Sequence, residues 1–217
     1  MAIIYPSLMG ADLLNLEREI HHLNTHVIGY HIDIMDNHFV PNITFGFDTI
    51  HAISHITSRQ LWLHAMVDNP TSIIEKLTLP ENTIYSFHIE SNFNKKDIMI
   101  KLTEKKWLPS IAIKPKTDVA QLFEIIDRQT YQVLVMSVEP GFAGQSFIPD
   151  VIAKIDTLVQ FRSKQKLNFI IGIDGGINAH TIAQVVTHGV DHIAVASAIF
   201  SNPDRVAALA DLEKHML

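Results

Sequence analysis

The feature that most constrains the fold is a regular alternation of short β-rich runs with stretches of helical periodicity. Eight β-rich runs begin near Ile3, Tyr30, Leu61, Thr83, Ser110, Gln132, Asn168 and His192. Between the first two runs, apolar residues at helical spacing share one face, at Leu13, Leu16, Ile20 and Leu23. A later stretch repeats this pattern at Ile152, Ile155 and Val159. Strict alternation of strand and helix predicts a parallel sheet that is covered by helices.

The number of repeated units selects between two architectures. Eight units favour a closed (β/α)8 barrel, a TIM barrel, formed as a single domain over residues 1–217. An open, doubly wound sheet should carry a Gly-rich dinucleotide turn after its first strand, but residues 7–12 read SLMGAD and contain no such motif. Two helix starts are also predicted: Asn178 caps the helix after the seventh strand, and Asn202 caps the last helix with Pro203 at its first position.

Composition excludes several classes of protein. An apolar fraction of 47% with 18% charged residues is typical of a globular chain, and a formal net charge of −6 offers no basic surface for nucleic acid. No apolar run approaches the roughly 18 residues that span a bilayer, and the N-terminal stretch is broken by Pro6, so we expect neither a membrane segment nor a signal peptide. Without cysteine there are no disulfides and no thiol chemistry. These properties predict a cytoplasmic protein.

Histidine and aspartate recur at the ends of three predicted strands. His31 and Asp33 alternate within one run and therefore face the same side of the strand. His64 and Asp174 end two further strand-like runs. A buried carboxylate needs a partner charge, and a divalent metal would provide one. Because catalytic groups of such barrels gather at the C-terminal ends of the strands, the pattern predicts a metal site suited to acid–base chemistry.

Small residues follow the last three strands. Gly175 and Gly176 follow the seventh strand, and Ala196 and Ser197 follow the eighth. Loops at these positions often bind phosphate through backbone N–H groups, and small side chains let the backbone approach the anion. After the sixth strand, residues 141–145 read GFAGQ, which favours a mobile cover with Gly141 and Gly144 as hinges.

Other residues at strand ends have structural alternatives. Ser7 and Met136 lie at the ends of the first and sixth strands. On spacing alone, Met35, Met66 and Met136 are better explained as gap-filling core residues than as functional ones. For His88, in the run SFHIE over residues 86–90, we favour a lining role over metal ligation.

Several runs together resemble the ribulose-phosphate 3-epimerase family. The similarity extends in order from the first strand to the eighth. It is carried by PSL at 6–8, HIDIMD at 31–36, HFVPN at 38–42, HAMV at 64–67, VLVM at 133–136, PGFAGQ at 140–145, DGGI at 174–177 and SAIF at 197–200. The resemblance implies a (β/α)8 barrel that interconverts D-ribulose 5-phosphate and D-xylulose 5-phosphate, a reaction of the pentose phosphate pathway.

The resemblance also implies roles for particular residues. The residues matching the family's metal ligands are His31, Asp33, His64 and Asp174. Of these, Asp33 and Asp174 match its acid–base pair. The residues matching its methionines near the reacting carbon are Met35, Met66 and Met136. The ligand set suits one divalent ion (Zn, Fe, Mn or Co), and the family implies a homo-oligomer, either a dimer or a hexamer.

The sequence departs from the family's commonest pattern at five positions, none of them a predicted ligand: Asn37, Ala65, Glu139, Ser146 and Ala196. Ala196 replaces a glycine of the predicted phosphate loop. One alternative is therefore the sister reaction on D-allulose 6-phosphate. Another is a non-catalytic sugar-phosphate-binding barrel, which would not need the complete ligand set. A third, resembling the orotidine-phosphate decarboxylase group, requires an Asp-x-Lys-x-x-Asp run, and residues 63–68 contain no lysine.

Overall fold

The computed structural model describes residues 2–216 and shows a barrel of eight parallel strands. The strands, numbered in chain order, are β1 (Ile3–Pro6), β2 (Gly29–Met35), β3 (Gln60–Met66), β4 (Ile84–His88), β5 (Leu108–Ile113), β6 (Gln132–Met136), β7 (Ile170–Asp174) and β8 (His192–Val195). Each strand pairs with its neighbours in the order β1-β8-β7-β6-β5-β4-β3-β2. An isolated parallel bridge between Ser7 and His31 joins β1 to β2 and closes the ring. The predicted TIM barrel is confirmed.

Helical segments connect successive strands on the outside of the barrel. The α-helices are α1 (Leu16–Leu23), α2 (Phe47–Ile56), α3 (Pro70–Lys76), α4 (Lys95–Glu104), α5 (Val151–Gln165), α6 (Ile182–Thr187), α7 (Ser197–Phe200) and α8 (Arg205–Lys214). The connection after β5 contains a 3-10 segment, Val119–Glu124, where the alternation predicts an α-helix. Two helical segments, α7 and α8, follow β8. None of the helices within residues 2–216 combines the length and apolar character that crossing a membrane requires.

Both predicted helix caps were wrong in position. Helix α8 begins after Asp204, whose side chain accepts a hydrogen bond from the backbone N–H of Ala207, so the cap lies two residues beyond Asn202. The side chain of Asn178 accepts from the backbone N–H of His180 and forms a turn, whereas α6 begins after Thr181. At α8 several cap-type residues compete, and Asp204 starts the helix because its oxygen reaches an N–H of the first turn. Thr181 precedes α6 without a side-chain cap hydrogen bond.

Side chains of the strands alternate between two apolar layers. Tyr5, Trp62, Leu134 and Met136 belong to a cluster inside the barrel. The intervening residues, such as Leu63, face outward and pack with the helices in a much larger cluster. This alternation fixes which strand residues point into the barrel, and His31, Asp33 and His64 follow the inward set.

Candidate metal centre and active-site cleft

The four ligand-type residues predicted from the sequence meet at one point. His31 and Asp33 lie on β2, His64 lies on β3 and Asp174 ends β7. Asp33 is paired in register with His64 across two adjacent strands. One ligand atom from each of the four side chains lies within 4.8 Å of the others, although β7 is far from β2 along the sheet order. Barrel closure therefore brings together residues that are distant in sequence.

The distances between the ligand atoms suit a central cation. His31 Nε2 lies 3.2 Å from Asp33 Oδ1 and 3.7 Å from Asp174 Oδ2. His64 Nδ1 lies 3.1 Å and 3.4 Å from the same two oxygens. Four atoms placed tetrahedrally at about 2.0–2.2 Å from a zinc-like ion would be about 3.3–3.6 Å apart. The cluster thus fits a four-coordinate divalent ion with two nitrogen and two oxygen ligands.

Attraction between the histidines and the carboxylates of this cluster shifts their pKa values. Burial alone would raise the pKa of Asp33, but His31 and His64 together hold the pKa of its carboxyl well below the usual range. Burial would likewise lower the pKa of His64, but hydrogen bonds to Asp174 and Asp33 raise it to about 9. The two carboxylates place negative charge next to the buried histidine nitrogens, and this environment attracts a cation.

Ser7 orients Asp33 from the first strand. Its Oγ donates a 2.8 Å hydrogen bond to Asp33 Oδ2, and the Ser7 side chain is itself buried. Since Oδ1 of Asp33 faces both histidines, the two carboxylate oxygens have separate partners. The bridge that closes the barrel thus also fixes a predicted catalytic residue.

One cleft above the cluster collects the remaining predicted residues. Its walls include Ser7, Asp33, Met35, Met66, Met136, Gly141, Gly144, Asp174, Gly175, Gly176, Ala196 and Ser197. The other two members of the cluster, His31 and His64, are fully buried beneath this surface. The residues assigned to metal, substrate and proton transfer from the sequence are therefore contiguous, and their individual roles stay predictions.

Methionine side chains form much of one wall. Met35 and Met66 pack with Val40 in a small cluster that Met9 and Phe39 contact. Met136, at the end of β6, also lines the cleft but belongs to the cluster inside the barrel. All three predicted methionines are nearly inaccessible to solvent. Met9 also lines the cleft, although no motif in the sequence distinguishes it from a core residue. The wall is apolar and offers no exchangeable protons.

The opposite wall is built from closely packed backbone. Gly176 has φ of +65°, and a Cβ added to it would lie 2.5 Å from the backbone nitrogen of Phe147, so only glycine fits. Ser137, which the sequence analysis missed, holds this wall: its Oγ donates to the carbonyl oxygens of Asp174 and Gly175 at 3.0 and 2.6 Å. Its position directly after β6 was the only available signal.

The loop after β6 closes over the cleft. Gly141 has φ of +128° and packs against Val40, and its carbonyl oxygen accepts a 2.7 Å hydrogen bond from Asn42 Nδ2. The side chain of Gln145 donates to the carbonyl oxygens of Glu139 and Phe142, which ties the two ends of the loop together. The loop after β2 therefore supports the cover, and mobility of that cover stays a prediction.

His88 does not have the lining position expected from the sequence. It is fully buried, lies outside the cleft walls, and has Nε2 at 2.9 Å from Nε2 of His64. Burial lowers the pKa of His88 to about 4, although Glu90 opposes this shift. The signal in the sequence was the same period of two that relates His31 to Asp33, because His88 and Glu90 also alternate along one run.

The barrel and its His–Asp cluster define a TIM-barrel protein with a centre that could hold a metal ion. The sequence model of the Ribulose-phosphate 3 epimerase family matches residues 3–200, and the chain belongs to this family. The protein is therefore an isomerase of the epimerase type, which confirms the family resemblance and the enzyme class predicted from the sequence.

Relatives and solved structures agree with this assignment at different levels. A ribulose-phosphate 3-epimerase of Treponema pallidum is 35% identical over 197 residues, covering 90% of each chain. One from Mycobacterium tuberculosis is 33% identical over 212 residues, covering 98% of this chain and 92% of the relative. The crystal structure of 3-hexulose-6-phosphate synthase from Salmonella typhimurium superimposes with a TM-score of 0.68 at 13% identity, covering 99% of this chain and 98% of that one. That last similarity supports the fold alone.

Proposed function

We propose that the protein catalyses the metal-dependent 3-epimerisation of D-ribulose 5-phosphate to D-xylulose 5-phosphate. The observation that carries this proposal is that Asp33 and Asp174, from strands on different sides of the barrel, meet with His31 and His64 at the base of one cleft. Curated relatives that cover most of the chain bear the name of this reaction. The substrate is a phosphorylated ketose.

The four clustered residues would hold one divalent ion, which we expect to be Zn, Fe, Mn or Co. Two imidazole nitrogens and two carboxylate oxygens are a donor set that suits these ions better than Mg²⁺, which prefers oxygen. When bound, the ion would supply positive charge that stabilises the negative charge developing on the substrate oxygens at C2 and C3.

Asp33 and Asp174 would carry the protons. Epimerisation removes the C3 proton from one face and returns a proton to the other, through a 2,3-enediolate. One carboxylate takes the proton while the other, starting as a carboxylic acid, delivers its own proton to the opposite face, and the roles exchange when the reaction runs in reverse. Both side chains line the cleft, and Ser7 holds Asp33 in place.

The three methionines of the cleft would protect the charged intermediate. Met35, Met66 and Met136 present apolar, weakly hydrated sulfur to the cleft and have no proton to donate. Excluding water in this way prevents uncontrolled protonation at C3 and strengthens electrostatic interactions within the site.

The small-residue wall would bind the phosphate. The cleft walls, as far as residues 2–216 describe them, contain no lysine or arginine. Backbone N–H groups at Gly175, Gly176, Ala196 and Ser197 are therefore the donors we assign to the phosphate oxygens. Fixing the phosphate there sets the distance along the sugar to C3, which favours a five-carbon over a six-carbon ketose phosphate.

The alternative substrate is D-allulose 6-phosphate, which would use the same ion and the same two carboxylates. A non-catalytic sugar-phosphate-binding barrel is the other alternative, and the complete cluster argues against it. We also expect a single domain over residues 1–217, a homo-oligomer (a dimer or a hexamer) and a cytoplasmic location. Light scattering on the protein as it elutes from a size-exclusion column would test the oligomeric state.

The deciding experiment measures metal content and substrate preference on the same preparation. Protein purified without chelator should contain close to one transition metal per chain, and its kcat/KM should be higher for D-ribulose 5-phosphate than for D-allulose 6-phosphate. Full activity after exhaustive chelation, with no residual metal, would overturn the metal mechanism. A higher kcat/KM for the six-carbon sugar would assign the protein to the sister reaction, and no turnover of either would favour the binding protein.

A further inference from the structure

Behind His64, a chain of hydrogen bonds runs away from the cleft across three neighbouring strands. His64 Nε2, on β3, lies 2.9 Å from His88 Nε2, at the end of β4. The other ring nitrogen of His88, Nδ1, lies 3.1 Å from Glu90 Oε2. The second carboxylate oxygen of Glu90 accepts a 2.9 Å hydrogen bond from the backbone N–H of Lys114, directly after β5. Every link is a specific atom pair, so the chain constrains where the protons reside.

The proton positions follow from the end of the chain. Glu90 accepts from Lys114 and, as a carboxylate, can only accept from His88, so Nδ1 of His88 must carry a proton. A neutral His88 then presents a lone pair at Nε2, and His64 must donate its Nε2 proton to it. Nδ1 of His64 is then the ring position from which a bound divalent ion would displace a proton. That atom faces the two carboxylates of the proposed metal centre.

The opposite arrangement of protons is unfavourable in this environment. If the only proton of a neutral His64 were on Nδ1, His88 would have to donate from Nε2, and the bare Nδ1 of His88 would face the Glu90 carboxylate. Two acceptors would then oppose each other at 3.1 Å. Water cannot relieve this contact, because His88 is fully buried and the ring of Phe39 lies 4.8 Å from it, centroid to centroid. An unpaired buried acceptor loses its hydrogen bond to water without gaining another, and this cost selects one tautomer.

The surroundings of Glu90 make the chain rigid. The carbonyl oxygen of Lys114 accepts a 2.8 Å hydrogen bond from Nζ of Lys154, a buried residue of α5. The same ammonium also binds the carbonyl oxygens of Pro115 and Thr117, at 3.0 and 2.6 Å. The loop that supplies the last N–H of the chain is therefore fixed by three hydrogen bonds to one helix.

The other histidine of the cluster has no such support. His31 directs Nε2 at Asp33, but its outer nitrogen, Nδ1, is buried without a hydrogen-bond partner among residues 2–216. The hydrogen-bonded chain is thus a property of His64 and not of buried histidines in this barrel generally.

We propose that His88 and Glu90 are positioning residues that hold His64 in the tautomer and ring orientation required to bind the divalent ion. This inference rests on the proposed metal centre. Partners that orient a metal-binding histidine through its other ring nitrogen typically contribute about 10–100-fold to metal affinity. Neither residue would touch the substrate or the ion.

Metal affinity in solution tests the proposal. Protein freed of metal with a chelator is titrated with Zn²⁺ in competition with a chromophoric chelator, which gives the Kd for Zn²⁺. The Co²⁺-loaded protein is then examined by visible absorption. Glu90→Gln and His88→Phe should each raise the Kd for Zn²⁺ by about 10–100-fold and alter the Co²⁺ spectrum. His192→Phe is the control for loss of a buried histidine, because His192 lies within the barrel beside Tyr5 and its ring nitrogen pairs with Gln132, not with a residue of the cluster. Glu81→Gln is the charge control, since Glu81 pairs with Lys106 in an exposed position.

The outcomes separate the inference from the function on which it rests. Both controls should bind Zn²⁺ within about threefold of the wild-type Kd, well below the effect expected of an orienting partner. Glu90→Gln keeps the shape of the side chain and decides the matter if His88→Phe does not fold. A folded Glu90→Gln variant with wild-type Kd and an unchanged Co²⁺ spectrum would overturn the positioning role alone. A wild-type chain that binds neither ion would overturn the proposed metal centre together with this inference.

Discussion

The two walls of the cleft are built by different means. On the side of β2, β3 and β4, buried side chains contact one another through specific atoms, as His64 does with Asp33 and with His88. On the side of β6, β7 and β8, the wall consists mainly of small residues and backbone, apart from Met136, and Gly176 lies against the backbone of Phe147. The first wall fixes charge and proton position, whereas the second fixes a surface that a ligand's anionic group can approach closely.

This difference predicts different responses to substitution. Changing a side chain on the β2–β4 wall should affect metal binding or the chemical step while the wall itself persists. Changing a residue on the β6–β8 wall should displace backbone, and so should affect substrate binding and the free energy of unfolding. Asp174 belongs to both, because its side chain faces the histidines while its carbonyl oxygen accepts from Ser137.

The largest effect should come from the two proposed proton carriers. Asp33→Asn and Asp174→Asn should each lower kcat by at least about 10²–10⁴-fold, because each face of C3 needs its own carboxyl group. Steady-state kinetics on variants of measured metal content would check this. Asp48→Asn, at an exposed position in the first turn of α2, is the matched control and should retain wild-type kcat. A metal-replete Asp33 or Asp174 variant with more than about a tenth of wild-type turnover would contradict the assignment.

The next effect concerns the backbone wall. Gly176→Ala should lower the free energy of unfolding by about 1–3 kcal/mol, because alanine is strained at φ of +65° and its Cβ would lie 2.5 Å from the Phe147 nitrogen. The KM for the phosphorylated substrate should rise while Zn²⁺ affinity stays unchanged. Chemical denaturation, kinetics and metal titration measure the three quantities. Gly46→Ala is the control, since an added Cβ there has no neighbour within 4 Å. Loss of metal affinity in Gly176→Ala would show that the two walls are not independent.

A smaller effect is expected at the methionine wall. Met66 is buried beside Met35 and Val40. If the wall acts by excluding water, Met66→Leu should keep kcat within about threefold of wild type, since leucine is equally apolar and similar in volume. Met66→Gln should lower kcat by about tenfold, because its amide brings exchangeable protons and water into the cleft. A large loss in Met66→Leu would instead indicate a role specific to sulfur. Circular dichroism would confirm that both variants fold.

The features that could be predicted from the sequence are those that follow from a period of two or from the repeated strand–helix unit. The alternation located all eight strands, and the pairing of His31 with Asp33 on one face identified half of the proposed metal centre. These inferences succeed because strand geometry and barrel closure are properties of the whole fold. The family motifs added Met35 and Met66, which spacing alone assigned to the core, and the structure places both on the cleft wall.

What could not be predicted depends on register and on competition between neighbouring groups. His88 contacts His64 because β3 and β4 pair with His64 opposite Ser86, and no local pattern contains that information. Asn202 and Asp204 both accept from a backbone N–H, but Asn202 accepts from Asp204 and forms a turn, whereas Asp204 accepts from Ala207 and starts α8. The connection after β5 forms a 3-10 segment in which the side chain of Asp118 accepts from the N–H of Ala120, a local choice that periodicity does not reveal.

The smallest expected effect tests the family departure at the phosphate end. Ala196 lines the cleft, and its Cβ would lie 3.1 Å from a Cβ added to Gly10, so the methyl group occupies space between the loops after β8 and β1. Ala196→Gly should lower the KM for D-ribulose 5-phosphate by about two- to threefold without changing kcat, because the backbone can then approach the phosphate more closely. It should also lower the free energy of unfolding by about 0.4–1 kcal/mol through greater freedom of the unfolded chain. The ratio of kcat/KM between the five-carbon and six-carbon substrates should stay constant, since both substrates end in the same phosphate group. An unchanged or higher KM in the folded variant would mean that the methyl group of Ala196 does not limit phosphate binding. The small-residue wall would then tolerate a side chain at a position where we expect the backbone to approach the phosphate closely.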